Sequence, residues 1–139
     1  MGKLLREPAD VASLLKSANT VAVVGVSDKP DRASNGVSKY LQDHSDYELY
    51  FVNPLLEEVL GQKSYKSLKD IPVAIDLVDV FRKPSDIEAV MDEAIAIGAK
   101  ALWMQLGISE ETQATRGVNA GMDVVQDLCI KIEFEKYIC

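Results

Sequence analysis

The fold is decided by Thr20-Val21-Ala22-Val23-Val24-Gly25-Val26-Ser27-Asp28-Lys29-Pro30-Asp31-Arg32-Ala33-Ser34-Asn35-Gly36. Its first five residues are apolar or β-branched, a run of the right length for a strand buried on both faces. Gly25 ends that run. A polar turn containing Pro30 then leads to Ser34, which reads as the N-cap of a helix over 35–44 with Val37, Tyr40, Leu41 and His44 on one stripe. Strand, glycine turn and helix together open a βαβ unit, and the rhythm repeats. Further apolar runs begin at about Glu48, Ala74, Lys100 and Met122, spaced about 22 to 28 residues apart.

The segments between these runs carry helical period. Over 84–98, Ile87, Val90, Met91, Ala94 and Ile95 share one face, Ser85 and Glu88 have the spacing of a capping box, and Gly98 marks the stop. Other helices are expected over 9–18 and over 109–121, the latter capped by Ser109. Ser67 and Asp70 form a second capping-box spacing ahead of Ile71-Pro72. The tail over 131–137 fits helix or strand. These elements predict one α/β domain over 1–139, a doubly wound, mostly parallel five-stranded Rossmann-like sheet with helices on both faces. Ligands of such sheets lie beyond the carboxyl ends of the strands, where strand order reverses.

Composition narrows the function. The chain has 139 residues, 47% hydrophobic and 27% charged, ordinary values for a packed domain, with a net charge of −7. That acidity argues against nucleic acid and anionic membrane, which require a basic face. No apolar stretch approaches the ~20 residues of a membrane-spanning helix, and the first residues carry neither a secretory nor a myristoylation pattern. The two cysteines, Cys129 and Cys139, match neither a disulfide framework nor a zinc spacing and suit a reducing cytoplasm.

The turn after the first strand is suited to phosphate. Gly25 permits close backbone approach, Ser27 offers a hydroxyl, and the following helix presents free N–H groups at its positive end. Arg32 and Lys39 could add charge-assisted bonds, and Lys29, Arg82 and Lys83 stand near the same edge. Asp28, Asp31 and Asp79 leave the local charge mixed. A plain tight turn with solvated charges is the simpler alternative. Ser27 stands where a dinucleotide fingerprint has its second glycine, and the second strand ends Val52-Asn53-Pro54 without the acidic residue that grips ribose. No P-loop sequence is present. The turn therefore indicates phosphate without indicating nicotinamide or triphosphate hydrolysis.

Four stretches together carry a family resemblance: V-V-G-V-S-D-K-P-D-R-x-S-x-G-V-x-x-Y-L from Val23, V-N-P-x-x-E-E-V-L-G from Val52, D-V-F-R from Asp79 and W-M-Q-L-G from Trp103. From about Val11 to Glu133 the chain resembles the small stand-alone coenzyme A-binding proteins of the YccU-like type. These are similar to the CoA-binding Rossmann domain of succinyl-CoA synthetase α and of ADP-forming acyl-CoA synthetases. The resemblance implies coenzyme A as the cofactor. It implies that Gly25, Val26 and Ser27 hold the diphosphate, with Arg32 and Lys39 near the phosphates, the 3′-phosphate included, and Lys29 on the same edge. Asn53 and Pro54 would pass the adenosine end. Val80, Phe81 and Arg82 would line the nucleotide and upper pantetheine, and Met104, Gln105 and Gly107, with Trp103 and Leu106, the pantetheine arm. Trp103, Met104 and Phe81 read equally as core. The tail departs from the family's D-R-C-P-K-I-E-Y-E, since Leu128 and Ile130 replace its arginine and proline. Cys129 reads as a buried small hydrophobe or as a thiol within reach of the CoA thiol.

The expected function is binding of CoA or an acyl-CoA without catalysis. The single histidine, His44, sits late in its helix, and no catalytic triad, metal cluster or isolated carboxylate pair falls among the edge turns. Acyl-transfer chemistry would need a partner enzyme chain, and a homodimer is the other partner arrangement considered. An NAD(P)-binding redox enzyme or sensor on the same fold, and a pure interaction module, are the competing functions.

Overall fold

The computed structural model describes residues 2–138; Met1 and Cys139 lie outside them. The five apolar runs form the parallel strands β1 (Thr20–Val24), β2 (Glu48–Val52), β5 (Leu77–Val80), β6 (Ala101–Met104) and β7 (Asp123–Val125). Two strands were not expected: β3 (Glu58–Val59) and β4 (Gln62–Tyr65) form a hairpin on one flank, giving a seven-stranded sheet of order β3-β4-β2-β1-β5-β6-β7. Leu60 and Gly61 make its two-residue turn with φ of 52° and 77°, the paired positive φ that suits a tight hairpin. The crossover from β2 to β5 is therefore this hairpin and a short 3-10 turn over Leu68–Asp70 rather than an α-helix.

Helices cover both faces, as the doubly wound pattern requires. On one face α1 (Pro8–Ser17), α2 (Ala33–His44) and α5 (Ile130–Tyr137) bury Leu15, Leu41 and Phe134 against Val23, Phe51 and Trp103. On the other, α3 (Ile87–Ala96) and α4 (Glu111–Asn119) bury Met91 and Ala114 against Val78, Leu102 and Val124. The ambiguous tail is thus helical, because Ile130 and Phe134 at i and i+4 both reach that first core. The outer edge of β7 is not bare. Leu5 donates its N–H to the Val124 carbonyl at 2.8 Å, and Val124 donates to that of Lys3 at 2.9 Å, so the N-terminal segment continues the ladder.

Three expected caps are not made as read. Ser34 lies inside α2, whose N-cap Arg32 makes no side-chain cap bond, and the Ser34 hydroxyl instead accepts the Ser27 N–H at 2.9 Å. Glu110, not Ser109, caps α4 by accepting the N–H groups of Thr112 and Gln113. Ser85 falls in a 3-10 turn over Pro84–Asp86, and α3 starts after it with no side-chain cap. Only for Ser34 does a partner outside its own helix, the Ser27 N–H, take up the hydroxyl, which spacing alone does not encode. Gly98 ends its helix as expected, with φ of 70°.

Candidate functional site

The chain leaves β1 toward β2 on one side and returns to β5 on the other, so strand order reverses between β1 and β5. The turns leaving these two strands touch. Gly25 has φ of 88°, and a Cβ built on it would lie 2.4 Å from the Phe81 carbonyl oxygen and 2.8 Å from Cδ of Arg82. Glycine is demanded twice here, by conformation and by space.

Two clefts open on either side of this contact. The first, about 320 Å³, is lined by Gly25, Ser27, Lys29, Arg32, Ser34 and Phe81 at the start of α2. Its turn is closed by α2 itself, since the Asn35 amide donates to the Ser27 carbonyl at 2.9 Å and Lys29 donates its N–H to Ser27 Oγ at 3.1 Å. Among the described residues neither Lys29 nor Arg32 has a carboxylate within ion-pair distance. Two unpaired cations beside an uncapped helix N-terminus make an anion-attracting rim on an acidic protein.

The second cleft, about 230 Å³, lies between the ends of β1, β2 and β4 and helix α3. Val24, Val52, Leu68 and Val90 give it aliphatic walls, with Pro54, Arg82 and Lys66 around them. Arg82 is held by Asp86 at 3.1 Å. Glu93, also at this cleft, accepts the Leu68 N–H at 2.9 Å. Lys66, Ser67 and Glu93 were not anticipated, because β4 (Gln-Lys-Ser-Tyr) carries no apolar run that would announce a strand end.

The other anticipated residues divide by role. Val26, Val80 and Met104 are fully buried core side chains and line neither cleft. Asn53 is a brace: its amide donates to the Val26 carbonyl at 2.8 Å and its Oδ1 accepts the Leu55 N–H at 2.9 Å. Gly107, at φ of 85°, donates its N–H to Asp127 at 2.6 Å. Lys39 is not brought to either cleft. It lies six residues along α2 from Ala33, roughly 9 Å down the axis, and pairs with Asp43 at 2.8 Å. Trp103 is core, its indole donating to the Leu128 carbonyl at 2.7 Å, and Phe81 is half-buried with one side on the first cleft. Cys129 is half-buried and is the residue that immediately precedes α5. His44 ends α2, exposed and stacked on Tyr40 at 4.4 Å.

Asp79 does not add charge to the rim. Its neighbours in register are Val23 and Trp103, so it points into the core beneath α2 and α5, fully buried. Gln105 donates to its Oδ1 and, through Oε1, accepts the Ile130 N–H at 3.3 Å, joining β5, β6 and the start of α5. Oδ2 has no hydrogen-bond partner among the described residues. Burial pushes the carboxyl up to about 7, the Gln105 bond pulling the other way.

A family model described as a CoA binding domain matches residues 19–135. The chain is 40% identical over 124 residues to the uncharacterized protein YneT of Bacillus subtilis, covering 89% of this chain and 91% of that one. It is 33% identical over 82 residues to the acetate–CoA ligase [ADP-forming] II subunit alpha of Pyrococcus furiosus, 59% of this chain but only 18% of the subunit. Among solved structures, a hypothetical protein from Pyrococcus horikoshii OT3 superposes with a TM-score of 0.92 at 37% identity, covering 96% of this chain and 94% of that one.

Proposed function

The chain belongs to the CoA-binding domain family, and on that premise we propose that it binds coenzyme A or an acyl-CoA across the Gly25 turn. The observation that carries this reading is the pair Lys29 and Arg32, without a carboxylate partner among the described residues, beside the uncapped start of α2. A diphosphate over Ser27 meets backbone N–H groups, the helix dipole and both cations at once. The aliphatic cleft on the far side of Gly25 suits the adenine ring.

Catalysis is not part of this reading. His44 lies at the end of the sheet opposite the clefts, and acyl-transfer chemistry would come from a partner enzyme chain. The reducing cytoplasm is the compartment that fits.

Thermal unfolding with matched CoA, acetyl-CoA, dephospho-CoA and NAD tests the proposal. At ~100 times its dissociation constant a ligand stabilises by ~2.7 kcal/mol. That is about 5–10 °C in melting temperature for a domain of this size. A shift with NAD and none with CoA would overturn the reading, and no shift with any ligand would indicate an interaction module.

Arg32→Ala should weaken CoA binding by about tenfold to a hundredfold, the loss of one charge-assisted contact, with the unliganded melting temperature unchanged. Lys39→Ala removes only an exposed ion pair with Asp43 and should leave affinity within about twofold. Calorimetric titration of both variants checks this, and equal affinities for the two would contradict the role given to Arg32.

A further inference from the structure

We propose that Lys66 reads a phosphate on the ribose next to the base, so that the site selects a 3′-phosphorylated adenine nucleotide over its dephosphorylated form. This rests on the CoA reading above and adds the residue that sets its specificity.

The two clefts differ in what they can hold. The one beside α2 is polar, and its Lys29 and Arg32, without carboxylate partners among the described residues, suit it to a diphosphate; the one beside α3 has walls of Val24, Val52, Leu68 and Val90. A planar base gains more by leaving water for the aliphatic cleft. Its ribose then lies at the mouth of that cleft, and so does any phosphate the ribose carries.

Two cations line this mouth, and only one is available. Arg82 is bound to Asp86 at 3.1 Å. Lys66 has no carboxylate within ion-pair distance among the described residues, although Glu57 and Asp70 line a neighbouring cleft with it. Asp70 is engaged by Ser67 Oγ at 3.3 Å, and Glu93, the other acid of the aliphatic cleft, by the Leu68 N–H. The Lys66 ammonium instead donates to the Pro54 carbonyl at 3.2 Å. That bond fixes it beside the turn that follows β2 and leaves two of its three N–H groups for an anion. Lys39, which the family resemblance placed with Arg32 near the phosphates, is drawn toward Asp43.

The test is calorimetric titration of the native chain, Lys66→Met and Lys66→Arg with CoA and dephospho-CoA. The native chain should bind CoA at least about tenfold tighter than dephospho-CoA, as one charge-assisted phosphate contact implies. Lys66→Met should weaken CoA alone and bring the ratio near one, while Lys66→Arg should keep most of it. Lys66 is exposed, so the variants should melt like the native chain. A native ratio near one, or a ratio unchanged in Lys66→Met, overturns the assignment of Lys66 and leaves the CoA reading standing. No binding of either ligand by the native chain overturns both.

Discussion

Gly25→Ala should destabilise the protein by about 3–5 kcal/mol, a large share of the stability of a domain this size. Two costs combine. An alanine at φ of 88° is strained, and its methyl carbon would lie 2.4 Å from a carbonyl oxygen of the neighbouring turn. The obstacle is backbone, so no rotamer change relieves it; the turns after β1 and β5 must separate. Because those turns form the wall shared by both clefts, any folded Gly25→Ala protein should also lose CoA affinity. Urea unfolding reads the first effect, and titration of the folded fraction reads the second. Native-like stability would mean that the two turns do not meet as described. Gly107→Ala is the control: φ is 85° there, but nothing lies within 4 Å of the added carbon, so the cost should be only about 1 kcal/mol.

Asp79→Asn should raise stability at pH 8 and remove a pH dependence that the native chain shows between about pH 4 and 7. The folded carboxyl keeps its proton up to about 7, whereas the unfolded one ionises near 3.8. Below the lower value both states are protonated and the group contributes nothing. Between the two values the unfolded chain releases the proton and the folded chain holds it, so stability falls by ~1.4 kcal/mol per pH unit. Above 7 the loss levels off at roughly 4 kcal/mol, the cost of an ionised carboxylate with one oxygen unpartnered in the core. Asparagine keeps the acceptor for Gln105 and cannot ionise. Its melting temperature should exceed the native value by about 10 °C at pH 8 and approach it near pH 4. Asp76 acts elsewhere. Burial raises it, but the N–H groups of Asn19 and Thr20 and the Lys100 ammonium outweigh that and hold it below its ordinary value, so its contribution is lost only in stronger acid. Parallel pH profiles for the two proteins would contradict the burial of an ionisable Asp79.

Sequence reading reached furthest where one physical signal was strong and local. Five apolar runs at βαβ spacing fixed five of the parallel strands, and Gly25 after the first of them marked the edge where strand order reverses. Ser27, Lys29 and Arg32 followed because they are adjacent to that glycine in the chain. The reading stopped where the determinant was a distant partner. β4 carries no apolar run, so the strand that delivers Lys66 to the second cleft became visible only as a neighbour of β2 in the sheet. Lys39 and Lys66 look alike as isolated cations; Asp43 draws one away and the Pro54 carbonyl holds the other in place. Asp79 read as edge charge because its position at the strand end was known and its facing was not. The sequence by itself determined the five strands that carry apolar runs, the edge they share and the glycine at its centre, because periodicity and backbone conformation are properties of neighbouring residues. Only the tertiary structure decided which charges are free, which are spent and which are buried, because pairing and desolvation depend on residues brought together by folding.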